Sequence, residues 1–205
     1  MKMLEIRNQE DFKIGITKEH VTEIKEYLKA LDLVVDCPSE TTIPDANPAE
    51  YVLFTQPGMR YCQAQVLVHI LMKDPIFNSF SEWEKKLATE KILEDVRGRM
   101  MEDIVLLDRI KTLRRGKRAF KLFLSRREFD MVIYDTEANT CEEYEIKHSI
   151  EKSPNQTRAL LDEELNREVK AKYGQVTRKC VIYRGDNSIV GDVEYLNVQD
   201  YLKSL

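Results

Sequence analysis

Two strand-like segments, EFDMVIYD (128–135) and TCEEYEIKHS (140–149), are separated by only four residues, Thr136-Glu137-Ala138-Asn139. That spacing constrains the chain more than any other feature. A four-residue loop makes the segments an antiparallel hairpin with Asp135 facing Thr140, and counting back along both strands places Asp130 opposite Glu145. Their Cβ atoms are then expected about 5 Å apart on one face of the sheet. Lys147, two residues beyond Glu145, shares that face. Two carboxylates at contact distance disfavour each other's ionisation. A divalent cation removes the conflict: Mg²⁺ takes oxygen ligands and is commonly held by one or two carboxylates together with water and substrate phosphate. A neighbouring lysine can orient an attacking water and offset charge building up on a phosphate.

The remaining elements fit an α/β reading. Thr17 can cap a helix reaching Leu33, with Val21, Ile24, Leu28 and Leu31 at helical spacing. LVVDC and YVLFTQ read as a hairpin around the turn-rich stretch PSETTIPDANPA. Met59 to Met72 carries an apolar stripe of Tyr61, Ala64, Val68 and Leu71, as a buried helix should. Ser81-x-x-Glu84 is a capping box opening a helix that reaches about Leu113 through Gly98. KLFLSR precedes the central hairpin as a strand, Ser153-Pro154-x-Gln156 opens a helix closed by Gly174, KCVIYRG is a strand, and VEYLNVQDYLKSL is a short strand followed by a terminal helix. No repeat or low-complexity segment interrupts this order.

Composition excludes several classes. With 42% hydrophobic and 33% charged residues over 205 positions, the chain reads as an ordinary globular protein. Its apolar runs fall well short of the ~20 residues of a membrane helix, and its N-terminus lacks a signal-peptide pattern, so a cytoplasmic location and no membrane partner are expected. Cys37, Cys62, Cys141 and Cys180 are too scattered for a metal knuckle and read as reduced core residues. The net charge of -4 hides a local surplus: residues 97–127 hold eleven Lys or Arg against three acids. Within it, Arg114, Arg115, Lys117 and Arg118 flank Gly116. Lying in sequence between Glu102 and Asp130, this loop is expected beside the carboxylates as a phosphate-binding surface, a solvated helix face being the plainer reading.

Asp130 followed by Glu145-Ile146-Lys147, with an upstream helical Glu in RMMEDIV (99–105), resembles the PD-(D/E)XK nuclease superfamily over roughly residues 95–200. The resemblance implies a restriction-endonuclease-like small mixed sheet flanked by helices, with Asp130 and Glu145 as ligands of Mg²⁺ or Mn²⁺. It implies that the Ile146 carbonyl assists, that Lys147 acts on the water, and that Glu102 completes the metal shell. Gln156 matches a polar active-site position, although Ser153-x-x-Gln156 is equally a capping box. Glu128 reads as a second acid or a strand-edge charge, and Arg184 as a phosphate contact or a salt-bridge partner. His148 alternates away from the site.

The phrases VLFTQPGMRYCQAQ, GRMMEDIV, EFDMVIYD and YEIKHS, in that order, are similar to those of AAA-type ATPases that end in such a domain after a winged helix. No GxxxxGK[ST] occurs, so an ATPase module would lie elsewhere on a longer chain. The implied organisation is a partial winged-helix segment (1–57), connecting helices (58–95) and the nuclease-like domain (96–205). Two functions follow from it: a metal-dependent DNA phosphodiesterase, or an inactive nuclease-like module that docks DNA or protein beside the ATPase.

Overall fold

The computed structural model describes residues 17–48 and 50–205; the first sixteen residues of the expected winged-helix segment lie outside them. The chain divides into two compact units, one ending at Val35 and the other running Asp36–Leu205. In the first, α1 (Lys18–Ala30) starts where expected: the Thr17 hydroxyl accepts from the His20 amide and the His20 imidazole accepts from the Thr17 amide. β1 (Val34–Asp36) follows it in the chain.

The second unit is built on a seven-stranded mixed sheet in the order β2-β4-β5-β6-β7-β9-β8. Its strands are β2 (Ser39–Thr41), β4 (Lys117–Phe123), β5 (Glu128–Asp135), β6 (Thr140–Ile146), β7 (Gln175–Tyr183), β8 (Ser188–Val190) and β9 (Val193–Asn197). The β2/β4, β6/β7 and β7/β9 pairs are parallel and the others antiparallel. Outside this sheet, β3 (Val52–Phe54) leads into α2 (Gly58–Leu71). The remaining helices are α3 (Glu82–Thr112), α4 (Glu163–Tyr173) and α5 (Val198–Lys203). The architecture is therefore mixed α/β, a sheet flanked by helices.

Helix α4 covers one face of the sheet. Its Leu165, Val169 and Tyr173 are fully buried against Phe120, Val132, Cys141, Val181 and Val193, each burial contributing roughly 1.5–3 kcal/mol. Helix α3 packs on β4 and β6 and buries Val105, Leu106 and Leu107. It opens on the expected capping box, in which the Ser81 hydroxyl accepts from the Glu84 amide and the Glu84 carboxylate accepts from the Ser81 amide (2.7 Å). It runs unbroken through Gly98, whose surroundings are open, and through the boundary expected at residue 95.

Four elements depart from the sequence reading. Ser39–Thr41, expected within a loop, is an edge strand parallel to β4: the Lys121 amide donates to the Pro38 carbonyl (2.9 Å) and the Thr42 amide to the Phe123 carbonyl (3.0 Å). Helix α4 holds it there, since Lys172 Nζ donates to the Thr41 carbonyl (2.7 Å) and the Tyr173 hydroxyl to the Glu40 carboxylate (2.8 Å). Ser153-Pro154 opens only a single 3₁₀ turn, and the helix begins ten residues later, where the Asp162 carboxylate accepts from the Glu164 and Leu165 amides. Helix α2 buries only Ala64 and Val68, leaving Val66, Leu67 and Ile70 exposed. Strand β8 is too short and too polar at its borders to have been read.

Gly174 does close α4: at φ 74° a Cβ there would lie 1.9 Å from the Asn139 carbonyl oxygen, so only glycine lets the helix end against the hairpin turn. Replacing the Asp162 cap by alanine should cost about 1 kcal/mol in a urea melt, with the denaturant dependence unchanged.

Candidate metal centre

The central hairpin has the register that its loop length requires. Asp135 pairs with Thr140 and Met131 with Tyr144, so Asp130 and Glu145 are the next positions along the ladder. The turn is fixed by the Asp135 carboxylate, which accepts from the Glu137 and Ala138 amides (3.0 Å each), and by Asn139 at φ 50°. On the other edge of β5 the pairing slips: Phe120 faces Val132 but Leu122 faces Phe129. Asp130 and Met131 thus stand opposite the single Lys121. A bulge of this kind re-aims side chains, and here it falls on Asp130 itself.

Asp130 and Glu145 are 4% and 6% exposed. Asp130 Oδ2 accepts from the Ile146 amide and from Lys147 Nζ, both at 2.7 Å, and Lys147 Nζ also lies 2.5 Å from Glu145 Oε2. Ile146 therefore serves the site through its amide, which sets the orientation of Asp130. Burial pushes the Glu145 carboxyl up, to about 8, and the charge of Asp130 adds to that while Lys147 opposes it. Burial acts to lower Lys147, but the two carboxylates outweigh it and raise its pKa, keeping it charged. One ammonium is thus shared by two buried acids.

Glu102 lies beside this trio and is bound elsewhere. Its Oε2 is 2.6 Å from Lys121 Nζ. Burial and then the charge of Asp130 raise its carboxyl, with Lys121 opposing. Glu102, Lys121 and the exposed Glu128 line a cavity of about 160 Å³ with Arg60, Arg99 and Asp103. Among the described residues no group of three or more His, Cys, Asp and Glu side chains converges tightly enough to hold an ion. The donor set on hand is the Asp130–Glu145 pair. Two hard-oxygen carboxyls side by side, one of them held protonated by burial and its neighbour's charge, fit an ion of the Mg²⁺ or Mn²⁺ kind, which would favour the ionised form of both and complete its shell with water.

The other expected residues are not gathered here. Arg114, Arg115, Lys117 and Arg118 sit at the turn end of the hairpin, not beside the acids. Lys117 pairs in register with Asp135 and bridges to it at 3.2 Å, five residues and roughly 17 Å along the strand from Asp130. Arg118 is bound to Glu40 (2.5 Å) and lies over Phe120 and Tyr134. The reason is the length of α3: ten residues of helix separate Glu102 from its C-terminus, which carries the following loop about 15 Å away.

Gln156 is buried and internally satisfied. Its Oε1 accepts from the Ser153 amide (2.9 Å) and its Nε2 donates to Ser149 Oγ (2.6 Å) and the Glu151 carbonyl (2.9 Å), so it acts as the cap and loop pin. Arg184 is exposed at the end of β7, and with Arg97 it holds His148 below the usual histidine range, burial being the larger cause. Both arginines therefore lie near His148, the residue that follows Lys147. Arg97, whose guanidinium donates to the Tyr61 hydroxyl (2.7 Å), was legible only as one member of the basic surplus.

Lys121 and Glu143 were not singled out by sequence. A lone lysine in the apolar run AFKLF was the available signal for the first. Cys37, Cys141 and Cys180 are buried and Cys62 is exposed, none in a disulfide. No helix among the described residues is long and apolar enough to cross a membrane. No known family model matches the chain, and no curated protein does.

Proposed function

We propose that this chain carries a metal-dependent phosphodiesterase site of the PD-(D/E)XK type on a restriction-endonuclease-like sheet, with DNA as substrate. The observation behind this reading is the buried trio of Asp130, Glu145 and Lys147 at hydrogen-bond distance on one hairpin. A bound Mg²⁺ or Mn²⁺ would supply Lewis-acid polarisation of the phosphate and of a ligated water. Asp130 and Glu145 would hold it, with the Ile146 amide keeping Asp130 in place. Relieved of its two carboxylate partners, Lys147 would present its ammonium to the attacking water and to charge developing on the phosphate. Arg97 and Arg184 would steer the polyanion toward that end of the sheet. A cytoplasmic setting, and an ATPase module on a longer chain, belong to the same proposal.

The engagement of Glu102 by Lys121 favours a second reading, in which the fold has lost cleavage and serves as a docking module. The two readings separate on incubation with plasmid and linear DNA in millimolar Mg²⁺ or Mn²⁺, with EDTA as control. Cleavage that EDTA abolishes is the expected result. Uncut DNA in both metals, from protein whose melting temperature rises with metal, would favour the docking module.

A further inference from the structure

Lys121 has a position that the proposed chemistry does not use. It is the single β4 residue facing the two-residue bulge at Asp130 and Met131, and its side chain is 12% exposed. Its ammonium, 2.6 Å from Glu102, lies in the field of three acids: Glu102, Asp130 and Glu128. Asp103, the other acid of the cavity, is matched with Arg60 (2.8 Å). A buried ammonium beside a two-carboxylate cation site does two things. It repels an arriving divalent ion, and it occupies Glu102, a half-buried carboxylate placed to extend the ligand set.

We propose that Lys121 is a placeholder cation that keeps Glu102 out of the metal shell until a nucleic-acid phosphate draws the ammonium away, so that metal and nucleic acid bind cooperatively. This rests on reading Asp130 and Glu145 as the cation site. The coupling is reciprocal: whatever the phosphate contributes to metal affinity, the metal contributes to nucleic-acid affinity. Lys121 is a positioning residue here, acting through Glu102.

The test is calorimetric titration of Mn²⁺ into the whole chain, without DNA and with a short duplex carrying phosphorothioate linkages, which keep the negative charge and resist hydrolysis. Lys121→Met should bind Mn²⁺ at least about tenfold tighter than wild type without DNA, since a repelling charge has gone and Glu102 is released. Lys121→Arg, which keeps the charge, should stay near wild type. Combining Lys121→Met with Glu102→Gln should erase the gain. Duplex should tighten Mn²⁺ binding to wild type by a larger factor than to Lys121→Met, in which only the phosphate's own ligation of the ion remains.

Circular dichroism checks that each variant folds, and Lys121→Gln replaces Lys121→Met should the latter fail to. Mn²⁺ bound equally by wild type and the charge-removing variant, or a gain that survives Glu102→Gln, overturns the placeholder. If wild type binds Mn²⁺ and Asp130→Asn does not, the cation site stands whatever the Lys121 result. If no variant binds Mn²⁺, the cation site and the placeholder fall together.

Discussion

Lys147→Met should abolish metal-dependent cleavage, by about 10³-fold or more, and should destabilise the metal-free protein in a way that added metal largely repairs. The catalytic loss follows because Lys147 contacts both carboxylates, and removing an aligned charge from a phosphoryl-transfer site costs this much. The stability loss has a separate cause. Without the ammonium at 2.7 Å from Asp130 and 2.5 Å from Glu145, two buried acids are left uncompensated, at about 3 kcal/mol. For a domain of this size that corresponds to roughly 6–12 °C in melting temperature. The sign of the pH dependence is fixed by the raised Glu145 carboxyl. Its folded value, about 8, lies above the unfolded 4.5, so its contribution is fully present below pH 4.5 and is lost as pH rises through 8. Removing Lys147 raises that carboxyl further, so the variant's deficit should be larger at pH 8 than at pH 5. Millimolar Mg²⁺ or Mn²⁺ should restore the melting temperature at pH 8 without restoring cleavage. Wild-type cleavage by Lys147→Met would remove this residue from the chemistry, and a deficit unmoved by metal would remove the cation from the pair.

What could be read in advance is what depends on neighbours in sequence. The hairpin register from Asp135–Thr140 to Met131–Tyr144 follows from a four-residue turn, and Thr17 and Ser81 cap helices because the capping geometry spans only three residues. What escaped depends on distance in space. Ser39–Thr41 forms a strand only because β4 offers it an edge and α4 clamps it there. The bulge at Asp130 has no glycine to announce it, and arises from packing Phe129 and Val132 into the same core. The basic loop shows the failure most clearly. Arg114 to Arg118 lie between Glu102 and Asp130 in the chain, yet an unbroken helix out and a full strand back put them at the opposite end of the sheet.

Glu143→Met should stabilise the protein, most strongly above neutral pH. Glu143 lies two residues before Glu145 on β6, is fully buried, and neither carboxylate oxygen has a hydrogen-bond partner among the described residues. Burial pushes its carboxyl up to about 7, opposed only by Lys179, which faces it from β7. A folded value above the unfolded 4.5 means that the protonated carboxyl's contribution is present below pH 4.5 and is lost as pH rises through 7. The difference amounts to about 3 kcal/mol, which the wild type forgoes at pH 8. Methionine removes both unsatisfied oxygens at similar volume, so the variant should gain about 2–3 kcal/mol at pH 8 and much less at pH 5, flattening the stability profile between them. Glu143→Gln should gain less, because it removes the charge but leaves two polar atoms to satisfy. Urea melts of the three proteins at the two pH values decide the matter. Destabilisation by methionine at pH 8 would mean that the charge of Lys179, deprived of its carboxylate, matters more than burial of Glu143, and would make that cross-strand pair a stabilising feature of the sheet.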